Sequence, residues 1–276
     1  MGTLFLVATP IGNLEDLSAR ALRTLRQVRL IAAEDTRVTR KLLSHFDVHT
    51  PLVSYFEHNK LTRLQAILGR LGEGDVALVS DAGTPGLNDP GYELVRSALE
   101  AGHDVSPVPG PASPMAALVC SGLPTDAFLY LGYLPRKKSE RRAALTRIAE
   151  LPYTLIFLES PHRLLESLED LREVLGERKM ALARELTKLH EEIWRGTPSE
   201  AAIHFKQPRG EFVLVVSGHP GTASVRWEAD HLLRVMAERL EAGVAPSTVA
   251  ATLAAESGWG RREIYKLATQ KVQGSA

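Results

Sequence analysis

The sequence predicts an α/β protein with two sheet-based halves followed by a small helical domain. Three observations predict it. Short β-rich apolar runs alternate with helical patterns through residues 1–113. Each run stops at a polar or Gly/Pro-rich loop. Past residue 221 only helical patterns remain.

Residues 3–8, 30–33, 76–79 and 105–108 read as strands, with helices at 18–27, 36–46, 59–71 and 92–101. Near-continuous apolar strands separated by helices predict a mostly parallel sheet covered on both faces. Residues 109–114 are proline-rich and read as a hinge. Beyond it, strands at 127–131, 154–158, 180–185 and 211–217 and helices at 139–150 and 163–175 fit a second sheet that admits antiparallel pairs. The expected domains are 1–113, 114–221 and 222–276. The last holds helices at 228–242, 246–256 and 261–271. Ser257-Gly258-Trp259-Gly260 joins the final two, which resembles helix-turn-helix spacing.

Charge balances: Lys and Arg number 33, as do Asp and Glu. No global positive field attracts a nucleic acid, so such a partner must meet a local patch. Basic residues gather at Arg37, Arg40 and Lys41, at Arg136, Lys137, Lys138, Arg141 and Arg142, and at Arg261, Arg262 and Lys266. Each group reads either as a solvated helix face or as an RNA phosphate contact. Cys120, the lone cysteine, can form neither an intrachain disulfide nor a Cys-rich zinc site, and is expected to be a small buried hydrophobe. No metal-ligand spacing occurs. The N-terminus lacks the basic and apolar regions of a signal peptide, and no run is long enough to span a membrane, so the expected compartment is the cytoplasm.

Three loops carry the chemistry: residues 9–14, 80–91 and 109–113, each following a strand. Ligands of open α/β sheets bind beyond the carboxyl ends of the strands. Glycine lets backbone approach a ligand closely, and proline stiffens the loop. The first strand is followed by no G-x-G-x-x-G, and no phosphate-binding P-loop occurs. Loops rich in Pro and poor in Lys suit a neutral or cationic ligand better than a phosphate.

Several ordered motifs then carry a resemblance. They are Thr9-Pro10-Ile11-Gly12-Asn13-Leu14, Ala33-Glu34-Asp35-Thr36-Arg37, Ser80-Asp81-Ala82-Gly83-Thr84-Pro85 with Asp89-Pro90-Gly91, Val108-Pro109-Gly110-Pro111, Glu159-Ser160-Pro161-His162-Arg163, Ala183-Arg184-Glu185-Leu186-Thr187-Lys188 and Arg209-Gly210-Glu211-Phe212. Together they resemble the small-subunit ribosomal RNA methyltransferase I family, a branch of the tetrapyrrole methylase superfamily. The resemblance implies two α/β domains clasping S-adenosylmethionine, a homodimer, and methylation of a cytidine ribose 2′-oxygen in the decoding region. By motif position it implies that Pro10, Gly83, Thr84, Pro85 and Leu87 line one side of a cofactor cleft. Pro111, Ala112, Ser113 and Met115 would line another, and Leu158, Leu186 and Phe212 would close over the adenosine.

Displacement at a sulfonium methyl needs alignment, exclusion of water and a place for the hydroxyl proton. Candidate bases are Glu34, Asp35, Glu57, His58, Glu159, His162 and Glu185. The expected substrate-side cluster is Asp35, Arg37, His58, Asn59, Glu159, Arg163 and Arg184, with no base singled out. Asp35 reads equally well as a helix cap. Two rival functions stand beside this one. A tetrapyrrole methylase needs the same loops but no basic helices. A non-catalytic RNA-binding or ribosome-assembly module needs the basic helices but no such loops.

Overall fold

Five short strands build the first sheet in the computed structural model, which describes residues 2–220 and 227–274. They are β1 (Thr3–Val7), β2 (Leu30–Ala33), β3 (Leu52–Ser54), β4 (Val76–Val79) and β5 (Asp104–Val108). All pair in parallel, in the order β3-β2-β4-β1-β5. Every residue of β4 is buried, as a central strand covered on both faces requires. Helices α1 (Ala19–Gln27) and α2 (Thr36–His45) cover one face, where Leu25 and Leu43 join Val7, Ile31 and Val79. Helices α3 (Lys60–Glu73) and α4 (Tyr92–Glu100) cover the other, where Ile67, Leu71 and Leu94 join Leu4, Ala32 and Leu78. The Ser18 side chain caps α1 by accepting from the Ala21 amide.

The second sheet contains β6 (Phe128–Tyr133), β7 (Thr154–Glu159), β8 (Met180–Arg184), β9 (Glu192–Gly196) and β10 (Phe212–Val216). Its order is β6-β7-β10-β8-β9, parallel only between β6 and β7. Helices α6 (Lys138–Ile148), α7 (Leu164–Leu175) and α8 (Pro198–His204) pack on one face through Leu145, Leu168, Leu171 and Phe205. The opposite face receives one helix, α5 (Ser113–Ser121), through Ala117 and Leu118, and the side chain of Ile11 packs there too. Both sheets lie in one compact unit, Met1–Gly218.

The second unit is His219–Ala276. Its helices α9 (Ala229–Glu241), α10 (Pro246–Ser257) and α11 (Arg261–Gly274) enclose their own core of Leu232, Met236, Val249, Leu253 and Ile264. Gly258, at φ +68°, makes the turn between α10 and α11. The Trp259 indole N–H donates to the Trp227 carbonyl at 2.8 Å.

The two sheets, one parallel and one mixed, and the helical tail are as the sequence predicts. Four strands and α-helices were not predicted, nor was the 3-10 turn Leu14–Asp16. β3 is only three residues long, and β9 is a polar edge strand, Glu-Ile-Trp-Arg-Gly. α8 opens on a capping box between Thr197 and Glu200. α5 falls on the presumed hinge: Pro114 sits in its first turn, where a missing N–H costs nothing, and Gly122 ends it at φ +80°. That helix also corrects the expectation for Cys120. The thiol is exposed, because α5 turns Ala117, Leu118 and Ser121 to the sheet and carries Val119 and Cys120 outward.

A second correction concerns Arg141, expected to contact RNA. Its side chain is 1% exposed, and its Nε donates to Asp170 Oδ2 at 2.6 Å. Arg142 Nε donates to Asp170 Oδ1 at 2.6 Å, and its guanidinium also pairs with Glu173. Asp170 thus accepts from two guanidinium groups where α6 crosses α7, and Glu166 and Glu173 supply the remaining negative charge. Removing one partner of a buried pair strands the other charge at a cost of roughly 3–5 kcal/mol. Asp170→Ala should therefore lower the unfolding free energy by about that amount, measured by urea denaturation of the full chain.

Candidate active-site cleft

The order of the first sheet opens a crevice. From β1 the chain crosses to β2 on one side, and from β4 it crosses to β5 on the other. The helices that follow these neighbouring strands lie on opposite faces, so the loops after β1 and β4 part at the carboxyl edge. Those loops are residues 8–18 and 80–91. They remain joined at one point, where Thr9 N donates to Gly83 O at 2.9 Å and Gly83 N to Thr9 O at 3.0 Å. The buried Thr9 hydroxyl donates to the Ser80 carbonyl at 3.2 Å. Thr84 Oγ1 donates to the Pro111 carbonyl at 3.1 Å, which ties in the third loop. Gly83 sits at φ +81°, a conformation that favours glycine.

The second sheet walls the other side. Leu158, Ala183, Leu186, Phe212 and Val213 face a cavity of about 360 Å³, together with Tyr130 and Tyr133. That volume falls in the roughly 300–1,000 Å³ range of small-molecule sites. A bulge in β6 between Tyr130 and Gly132 is what turns both tyrosines to the cavity, since residues three apart on a regular strand point to opposite faces. Two latches hold the walls together. Gly12 has no room for a side chain: a Cβ there would lie 2.5 Å from Lys188 Cγ and 2.8 Å from the Leu186 carbonyl. On the other side Tyr130 Oη donates to Asn88 Oδ1 at 2.6 Å, and Asn88 holds φ +63° over Gly132.

The lining is acidic. Glu34, Asp81, Asp89, Glu185 and Glu211 meet one lysine, Lys188, which pairs with Glu185 at 2.9 Å. Asp81 N donates to Glu34 Oε2 at 3.3 Å, and Asp35 N donates to Asp81 Oδ1 at 2.9 Å. Burial pushes the Glu34 and Asp81 carboxyls above the usual range, partly offset by those amides. Asp89 is pushed up to about 6, first by burial and then by the charges of Glu34, Asp81 and Glu211, against a hydrogen bond from Ser80. Tyr130 rises to about 12, mainly through burial.

Of the residues expected to bind a cofactor, Gly83, Thr84, Leu87, Ala112, Ser113, Leu158, Leu186 and Phe212 line this cavity. Pro10, Pro85, Pro111 and Met115 stand outside its lining, and Ile11 takes the place of Pro10. Pro111 acts through its carbonyl, which accepts from Thr84. The expected substrate-side cluster separates into four places. Asp35 caps α2 and is gripped by Arg37, with Nη2 to Oδ2 at 2.6 Å, which holds its carboxyl down to about 2. Asn59 ties the turn before α3, accepting from Phe56 N at 2.8 Å, and His58 is exposed beside Phe56. Glu159 is fully buried and accepts from Ser160 N and the Ser167 hydroxyl, with Arg163 3.5 Å away. Arg163 Nη2 donates to the Leu134 carbonyl at 2.6 Å. Arg184 pairs with Glu192 at 2.6 Å and lies over the Phe205 ring.

Asp81, Asp89 and Glu211 were missing from the sequence-based site, although each stands within one of the ordered motifs. The two tyrosines gave only a faint signal, a glycine inside an apolar run. Outside the cavity, Arg37, Arg40, Lys41, Ser44 and His45 form a shallow basic depression on α2. Arg136, Lys137 and Lys138 are exposed, the lysines beside Glu140 and Glu169. Arg261, Arg262 and Lys266 are exposed on α11.

Comparison with known proteins places this geometry. Residues 3–202 match the model of the Tetrapyrrole (Corrin/Porphyrin) Methylases. The chain is 48% identical to the ribosomal RNA small subunit methyltransferase I of Pseudomonas aeruginosa, covering 98% of both. It is 47% identical to the protein of the same name from Halalkalibacterium halodurans, covering 98% of this chain and 96% of that one. A solved structure, the uroporphyrin-III C-methyl transferase of Thermus thermophilus complexed with S-adenyl homocysteine, has the same fold. Its TM-score is 0.55 at 21% identity, covering 78% of this chain and 97% of that one.

The raised Asp89 carboxyl makes a stability prediction. An unfolded aspartate titrates near ~3.9, below its folded value of about 6. The folded state therefore holds this proton more tightly, and the stability so gained is lost as pH rises through 6. Asp89→Asn removes that loss. Its melting temperature should match wild type at the acid end, rise above it as the pH passes from the unfolded value to the folded one, and stay above at pH 8. Calorimetry across this range checks the sign.

Proposed function

Because the chain belongs to the tetrapyrrole methylases, in the ribosomal RNA small subunit methyltransferase I branch, we propose that it methylates small-subunit ribosomal RNA from S-adenosylmethionine. The acceptor on this reading is the ribose 2′-oxygen of a cytidine in the decoding region. The observation that carries it is the extent of the match, which runs nearly end to end and includes the helical tail. A tetrapyrrole methylase is the weaker reading, because the relatives that share this tail are named for ribosomal RNA. A non-catalytic RNA binder has no use for a cavity walled at a sheet crossover.

The cleft suits the donor. S-adenosylmethionine carries a sulfonium and an ammonium charge, and five carboxylates against one lysine favour such a cation. Leu158, Leu186, Phe212 and Val213 offer an apolar wall for the adenine. Gly83 lines the cavity at φ +81°, where a Cβ would be strained by the backbone and would stand 3.4 Å from Ile11 and 3.7 Å from the Pro111 carbonyl. When bound, the donor supplies a methyl group already attached to a good leaving group. The residues therefore have to align the acceptor oxygen, exclude water and accept a proton. Thr9, Gly83, Thr84 and Pro111 hold the loops rigid through bonds among themselves, so little reorganisation is left for the reaction. A loop carbonyl with a lone pair left over would make weak C–H···O contacts to the polarised methyl.

RNA would be positioned outside the cleft, by phosphate contacts that carry no sequence information. Arg37, Arg40 and Lys41 on α2 begin three residues beyond Glu34, which lines the cavity. Arg136, Lys137 and Lys138 offer a second patch, and Arg261, Arg262 and Lys266 a third. Arg142 is committed to Asp170 and Glu173, so it serves this role less well. The enzyme works in the cytoplasm as a homodimer on this reading, which light scattering of the purified protein tests.

Removing one phosphate-binding side chain should reduce the salt slope of RNA binding by about 1. Arg40→Ala combined with Lys41→Ala should weaken binding of small subunits and flatten that slope by about 2, leaving donor affinity unchanged. The wild-type chain must also transfer a radiolabelled methyl to under-methylated small subunits. Absence of transfer, with the donor bound, would refute the reading.

A further inference from the structure

The proton of the acceptor hydroxyl has no assigned destination, and the cavity offers few groups to receive it. Asp35 is held in its ionised form by Arg37 and stands outside the lining. Glu159 is fully buried behind Ser160, Ser167 and Arg163. Glu185 pairs with Lys188. Glu34 and Asp81 each accept a backbone amide, which stabilises the charged form and offsets part of what burial adds. Glu211 lies exposed at the rim.

Asp89 differs from all of these. It lines the cavity and is half-buried. Its position is fixed from both sides. Asn88 before it is locked at φ +63° by the Tyr130 hydroxyl and by contact with Gly132 of the second sheet. Pro90 after it confines the Asp89 backbone to extended conformations. A left-handed asparagine costs energy and persists where the surroundings demand it. Here the result is one carboxylate presented into the cleft from the loop that also forms the donor wall.

We propose that Asp89 is the general base that takes the proton from the ribose 2′-hydroxyl as its oxygen accepts the methyl group, an assignment that rests on the methyl-transfer reading above. The oxygen–carbon bond forms as the carbon–sulfur bond breaks, and that bonding pair stays on sulfur, which departs as a neutral thioether. The hydroxyl proton ends on the Asp89 carboxylate and passes to solvent. The groups facing Asp89 favour its protonation. Glu34 from the end of β2, Asp81 from the β4 loop and Glu211 ahead of β10 all repel its charge. Tyr130 and Tyr133 of β6 help to enclose it and are themselves harder to ionise beside it. Gaining a proton relieves that crowding.

The test is Asp89→Asn, which keeps the shape and loses the basic oxygen. Donor affinity is read by titration calorimetry and methyl transfer by single-turnover assay on small subunits. The expected variant, which keeps four of the five lining carboxylates, loses only a few-fold in S-adenosylmethionine affinity and transfers methyl about 10²–10⁴-fold more slowly. The wild-type rate should rise through pH 6 to a plateau, and the variant should lack that inflection. Transfer at the wild-type rate overturns the assignment. So does a loss of donor affinity as large as the loss of rate, which would make Asp89 a wall of the donor site. Wild-type protein that binds the donor and methylates no small subunits defeats the parent reading instead, a result visible before any variant is made.

Discussion

The cleft depends on the pair of backbone hydrogen bonds between Thr9 and Gly83. Where β1 and β4 lie side by side, the chain departs to opposite faces of the sheet, and the two loops would diverge into solvent. The bridge holds them at a fixed spacing just beyond the carboxyl edge. Everything downstream uses that spacing. Thr84 reaches Pro111 from it, Ile11 reaches the second sheet, and the loop through Asn88 and Asp89 projects across the opening. Both bonds are between backbone groups, so side-chain chemistry on the loops is left free for the ligand.

The second sheet completes the site by being incompletely covered. Among the described residues, three helices pack on one of its faces and α5 alone on the other. The apolar surface left over, around Leu158, Leu186 and Val213, becomes the cavity wall. Two close approaches hold the sheets in place, at Gly12 against the turn of residues 185–188 and at Gly132 against Asn88. That turn contains two left-handed non-glycine residues, Glu185 at φ +51° and Thr187 at +66°, so the contact at Gly12 is made by strained backbone. Residues in such conformations tend to persist at ligand sites, where packing enforces them.

Charge is distributed unevenly in a chain whose total is zero. Carboxylates gather inside the cleft, while exposed arginines and lysines of the same unit lie along α2 and ahead of α6. A cationic donor and a polyanionic acceptor need opposite fields a short distance apart. Separating the acidic interior from the basic rim meets both needs without a net charge.

Local patterns in the sequence were enough to determine the two sheets, the helical tail and the three ligand loops, because apolar runs and Gly/Pro punctuation are read over a few residues. The motifs marked the loops that line the cleft, among them Gly83, Thr84, Ala112 and Ser113. Only the tertiary structure decided which charges meet. Arg141 and Asp170 are 29 residues apart and become one buried pair. Asp35, Glu159 and Arg184 looked like one cluster and went to separate partners. Tyr130 and Tyr133 share a face because of a bulge, and Asp89 acquires its environment from β2, β6 and the start of β10. The physical reason is range. Secondary structure follows from neighbours along the chain, whereas burial and electrostatic environment are set by groups that come together only when the sheets close on one another.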